Sequence, residues 1–216
     1  ATQRFDPLSS PKRETRAVWL TSFSSLDWPK NKATSPAGIS QQDELCRILD
    51  RLKEVNINTV LLQTRVRGSV IYPSAIEPWD GCLTGTPGRA RDMTPWPLRP
   101  GMPQTRMELH AWLVAIPCFK ISAATRMGNR SVLKTHPKLC VRHGDSWYLD
   151  PGQPETADYL ASLCREIAAN YDVDGIHFDY IRYPENAAKF NDASSYRKYG
   201  KRQNKADWRR DNMTRC

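Results

Sequence analysis

The chain has 216 residues, 39% of them apolar and 25% charged, enough for one domain with a real core. Its net charge of +9 and pI of about 9.4 favour anionic surfaces such as polyanionic glycans, nucleic acid or acidic lipid. No basic run is interleaved with aromatics, which argues against nucleic acid; no apolar run is long enough for a membrane span, and no Gly-x-Gly-x-x-Gly or Walker loop offers a nucleotide site.

Residues 1–14 are polar and read as an N-terminal arm. "RAVWLTSF" (16–23) has the β-branched and aromatic content of a strand. After a polar loop, Ser40 is placed to cap a helix in which Leu45, Ile48, Leu49, Leu52 and Val55 recur at helical spacing, closed by Asn56 and Asn58. "TVLLQTR" (59–65) is a second strand. This strand–helix–strand unit has the length a right-handed crossover needs. "MELHAWLVAIP" (107–117) is a third strand, with Glu108, His110 and Trp112 on one face. Residues 132–150 read as an inserted hairpin turning at His143-Gly144-Asp145. A helix from about Pro154 carries Leu160, Leu163, Cys164, Ile167 and Tyr171 on one stripe. "GIHFDYIR" (175–182) is a fourth strand. Alternating strands and helices predict a parallel α/β sheet, either doubly wound or part of a barrel.

The six cysteines show neither a Cys-x-x-Cys pair nor zinc spacing, and the four histidines show no ligand motif, so no cofactor or metal is expected. Cys46 and Cys164 fall within helical patterns and read as core packing.

The strand ends carry the chemistry. In a (β/α) barrel the reactive end is the C-terminal one. Strand two ends in Gln63, Thr64 and Arg65, followed by Arg67; on alternation Gln63 and Arg65 share a face. Strand three offers Glu108, His110 and Trp112, and strand four His177 and Asp179. Aromatic side chains Tyr72, Trp79, Trp147 and Tyr148 in the loops and hairpin suit the apolar faces of sugar rings. The competing reading of these strand-end groups is polar core residues that satisfy one another.

"RAVWLTSF", "QTRVRGSVIYPSAIEPWDG", "MELHAW", "SWYLDPGQP" and "DGIHFDYIRYP" resemble the glycosyl-hydrolase-like family 10 proteins of bacteria, of Bacteroides type. The resemblance implies an eight-stranded TIM-type barrel, an exported, periplasmic or lipoprotein location, and cleavage of glycosidic bonds in a polysaccharide or in peptidoglycan glycan strands. It makes Asp179 the expected catalytic carboxylate, with Glu108 a candidate for the second; Glu77, Asp80 and Glu185 are weaker ones. Arg65, Arg67, Tyr72, Trp79, His110, Trp112, Asp150 and His177 are the expected substrate-binding residues. The arginines have an equal structural reading, as ion-pair partners of Asp179, and Asp150 could instead anchor the hairpin. A non-catalytic carbohydrate-binding relative is the alternative. A metal-dependent deacetylase using His110, His177 and Asp179 is a third. The oligomeric state is left open.

Two departures from the family pattern bear on this. Residues 15–216 hold only four strands, the N-terminal half of a barrel with an inserted hairpin, and 198–216 read as the start of the next helix. Little or no catalysis is expected from this half unless another completes it. A barrel also needs a helix between strands two and three, yet residues 91–106 contain Pro95, Pro97, Pro100 and Pro103, each costing about 3 kcal/mol in a helix interior. One codon choice in shifted frames spells an amphipathic helix there, so the segment reads as out of frame, with a genuine proline-rich loop as the alternative; the coding DNA decides.

Overall fold

The computed structural model describes residues 14–30, 39–89 and 107–216. The expected arm, up to residue 13, and the proline-rich 91–106 lie outside them.

Four strands, β1 (Ala17–Leu20), β2 (Thr59–Arg65), β3 (Glu108–Val114) and β7 (Gly175–Asp179), form one parallel sheet in the order β1-β2-β3-β7. Two long helices, α1 (Ile39–Glu54) and α4 (Glu155–Asn170), connect along it. Leu45 and Leu49 of α1 pack with Leu20, Val60 and Leu62. Leu160, Leu163 and Ile167 of α4 pack with Ala111 and Leu113. Leu62 and Ala111 are register partners, so both helices cover the same face. A doubly wound sheet places helices on both faces; among the described residues this one does not.

The uncovered face is concave. In a flat sheet β1 and β7 would lie about 14 Å apart, three strand spacings. Yet the rings of Trp19 and His177, one on each edge strand, are 5.9 Å apart over that face. Trp19 is 54% exposed, and every residue of β7 is half-buried. The fold is thus mixed α/β with a curled four-stranded parallel sheet, compatible with part of a TIM-type barrel.

A second sheet rises from the C-terminal end of β3. Strand β4 (Pro117–Lys120) begins three residues after β3 ends and pairs with the hairpin β5 (Cys140–His143) and β6 (Ser146–Leu149), in antiparallel order β4-β6-β5. The hairpin turns through Gly144 and Asp145 as predicted, with Gly144 left-handed at φ +59°. Strand β4 was not foreseen: its apolar residues continue the run of β3 without a break. Short helical turns α2 (Gly81–Thr84) and α3 (Val132–Thr135) sit in the connections, and α5 (Ala193–Tyr199) and α6 (Lys205–Arg215) complete the described chain. The helical reading of 198–216 is met by α6, preceded by a turn in which Lys201 and Arg202 are both left-handed. Cys46 and Cys164 are half-buried at the flanks of their helices; Cys82 and Cys118 are the buried pair.

Candidate active site

Asp179 ends β7 on the concave face, in register with Val114. One carboxylate oxygen accepts from the Trp112 indole N–H at 3.1 Å. The other accepts from the backbone N–H of Tyr180 at 2.7 Å. Tyr180 takes a left-handed backbone, φ +50°, unusual for a bulky side chain, and is exposed. One step toward the N-terminal ends, His177 lies beside Trp112 in register. Sequence alternation thus placed Asp179, His177 and Trp112 correctly.

Arg65 is elsewhere. A β-bulge between Gln63 and Arg65 shifts the register, so Arg65 pairs with Leu113, a residue of the helix-covered face. Its guanidinium is fully buried and grips Glu77 through two 2.7 Å hydrogen bonds. It also donates to the carbonyls of Val114 and Ala115 at the end of β3, and the Tyr159 hydroxyl of α4 donates to Glu77 at 2.8 Å. Burial opposes the Arg65 charge, but the Glu77 carboxylate and its hydrogen bonds outweigh it and hold the pKa above the ordinary value. The structural reading of Arg65 is met, with Glu77 rather than Asp179 as the partner, and both side chains are closed off from solvent.

Gln63 stays on the concave face and accepts from Thr21 Oγ1 and from the backbone N–H groups of Ser22 and Phe23. It ties the segment after β1 to the end of β2. Arg67 is half-buried and open to solvent, its guanidinium 4.8 Å over the Phe23 ring.

Other expected binding residues are corrected. Tyr72 and Trp79 are buried at 1% and 4%, because the loop after β2 folds back on itself: Val70 bridges Trp79 and is bonded to Pro78 and Asp80. Asp150 is also buried. It accepts from Gly152 N at 2.8 Å and from the Ser195 hydroxyl, so it anchors the turn after the hairpin, and burial raises its pKa. Asp80 caps α2, accepting from Cys82 N. Glu108 opens β3 rather than closing it. Six residues of strand, about 20 Å, separate its level from that of Asp179, whereas paired glycosidase carboxyls lie about 5–9.5 Å apart. His110 lies near that same distal end, 3.4 Å from Glu108, its ring packed on Gly175, where a Cβ would come within 2.6 Å. His110, His177 and Asp179 therefore do not converge, and no cluster of three or more metal-ligating side chains occurs among the described residues.

The C-terminal ends of the strands open onto two adjoining hollows that share Arg67. One, of about 380 Å³, lies between the strand ends and the hairpin tip and includes Tyr148, Tyr180, Arg182 and Glu185. The other, of about 630 Å³, includes Phe23, Lys30, Lys120 and Arg126. Phe23, Tyr180 and Arg182 had drawn no attention in the sequence as site residues. Their signal was position alone, directly after strands whose ends were recognised.

The family described as "Glycosyl hydrolase-like 10" matches residues 14–216. "Glycosyl hydrolase DigH" of Escherichia coli K12 is 35% identical over 218 aligned residues, covering 91% of this chain and 49% of that protein. "Glycosyl hydrolase YngK" of Bacillus subtilis is 32% identical over 210, covering 93% of this chain and 40% of that protein. The chain thus spans about half the length of the curated relatives it matches, or less. Among solved structures, a hypothetical protein from Ruminiclostridium thermocellum aligns with a TM-score of 0.48 at 15% identity, over 90% of this chain and 92% of that one.

Proposed function

Because this chain belongs to the glycosyl hydrolase-like 10 family, we propose that it contributes a carboxylate and a sugar-holding mouth to glycosidic-bond hydrolysis, with the C-terminal ends of the parallel strands as the mouth of a TIM-type barrel. The observation that carries this is Asp179: a carboxylate at the C-terminal end of a parallel strand, half-buried on the concave face and oriented by one indole N–H and one backbone N–H. Both donors leave lone pairs on each oxygen. Such a group can attack an anomeric carbon or stabilise the positive charge that develops there. Trp112 fixes its rotamer and His177 lines the floor beside it. Tyr148, Tyr180 and Phe23 offer flat apolar surfaces to sugar rings, and Arg67 and Arg182 donate to hydroxyls or acidic substituents.

Hydrolysis needs a second carboxyl. Glu185, exposed and on the same hollow as Tyr180, is our candidate in place of Glu108. Peptidoglycan glycan strands or another polysaccharide are the proposed substrates, and an exported or envelope-attached location belongs to the same proposal.

The test is Asp179→Asn, read as new reducing ends released from isolated glycan strands and as glycan affinity. Loss of turnover by about 100-fold or more with affinity kept within a few-fold is the expected result. Unchanged turnover rejects the assignment. Glycan binding without turnover by the parent protein favours the non-catalytic, carbohydrate-binding alternative.

A further inference from the structure

The hairpin β5–β6 has two faces, and only one belongs to the mouth. Tyr148 and His143 look onto the hollow beside Tyr180. Trp147 and its register partner Arg142 look the other way, onto a separate groove of about 560 Å³ between the hairpin and α5. Lys138, Asn191, Ser194 and Lys198 complete its rim.

Three features set this groove apart. Lys138, Arg142 and Lys198 are exposed, and none forms an ion pair among the described residues. The one carboxylate in the wall, Asp150, lies at the base with both oxygens engaged by Gly152 and Ser195; Glu155, the acid that acts on Lys198, lies on the adjoining hollow. The indole N–H of Trp147 is buried without an acceptor among the described residues. Buried donors are rarely left so, at a cost of about 1–3 kcal/mol. The chain beyond Lys198 adds Lys201 and Arg202, both exposed. Like charges gathered around an aromatic wall repel one another until an anion enters.

We propose that this groove is a second polysaccharide-binding site, distinct from the Asp179 mouth, that takes acidic sugars: Lys138, Arg142 and Lys198 hold carboxylate or sulfate groups, while Trp147 provides the apolar wall. A lipid surface fits less well, since the large exposed apolar side chains, Trp19, Phe23, Leu26, Val55 and Tyr180, all lie outside the groove and leave nothing to insert. Single-stranded nucleic acid fits less well too, because a row of stacking rings is missing from the groove as described. The proposal does not depend on Asp179 being catalytic.

The experiment is affinity electrophoresis of the full chain through gels carrying dextran, dextran sulfate or polygalacturonate. The parent should be retarded by both acidic polymers and not by neutral dextran, and retardation should weaken as salt rises. Lys138→Glu/Arg142→Glu/Lys198→Glu should weaken it at least about tenfold; the charge-matched Arg47→Glu/Arg51→Glu/Lys53→Glu, on the exposed side of α1, should change it less than about twofold. Arg142→Gln/Lys198→Gln with an unchanged Tm should give a smaller loss, which separates binding from misfolding. No retardation of the parent, equal retardation by dextran, or an equal loss in the α1 variant each overturns the proposal. Stronger groove-dependent binding to phosphatidylglycerol vesicles or to oligo-dT than to dextran sulfate also overturns it and reassigns the groove.

Discussion

The ends of β2 and β7 each carry a charged side chain, and the two are built in opposite ways. Arg65 is sealed: its charge is neutralised by Glu77, its remaining donor bonds go to two carbonyls, and water reaches neither partner. Asp179 is open: a neutral indole and its neighbour's backbone orient it, and it stays partly exposed on the concave face. A sealed pair spends its interactions on holding strands and helix together. An open carboxylate with spare lone pairs keeps its interactions for something that arrives. The contrast separates framework from chemistry within one sheet.

The largest way to break this contrast is at Glu77. Glu77→Leu should strand the Arg65 charge and cost about 3–5 kcal/mol by urea unfolding, while adding Arg65→Met should restore much of it. A loss below 1 kcal/mol would mean that the pair is not sealed. Next comes the converse test: the turnover loss of Asp179→Asn should arrive with a stability change within about 1 kcal/mol, because its charge is not part of the packing.

Asp192 sharpens the same line in acid. It is buried and paired with Lys205 and Arg209. Burial works to raise its pKa, but the hydrogen bonds and charges of Arg209 and Lys205 outweigh it and hold the carboxyl below 3.8. Its contribution is therefore complete above the ordinary aspartate range and is lost as pH falls through the lowered value. Asp192→Asn should flatten that part of the acid-unfolding curve; an unchanged slope below about pH 4 would place Asp192 with the open groups. The smallest effect is expected at Glu108. Glu108→Gln, exposed and at the distal end of β3, should change both stability and turnover by less than about 0.5 kcal/mol.

What the sequence disclosed follows from what is local. The period-2 runs, the Gly144 turn and the 3.6-residue stripes of α1 and α4 are set by neighbours in the chain, and they were legible. Arg65 was misplaced because a single bulge reverses facing, and "TVLLQTR" shows no glycine or irregular pattern to mark it. Tyr72 and Trp79 were misplaced because an aromatic residue in a loop has the same composition whether the loop folds inward or opens; for Asp150 the anchoring reading, not the substrate-binding one, is met. Glu108 was avoidable: a residue that opens a parallel strand lies at the end opposite to one that closes its neighbour. The facing of Asp179 was legible because it closes its strand two residues after His177.

The contact between Trp19 and His177 joins the two outermost strands, which lie near opposite ends of the described chain. Closing so long a loop is costly, and Trp19→Ala should give a φ-value below about 0.3 by stopped-flow if the rings meet only after the rate-limiting step. In that case whatever loosens the contact shortens the lifetime of the folded molecule and leaves the speed of folding almost untouched.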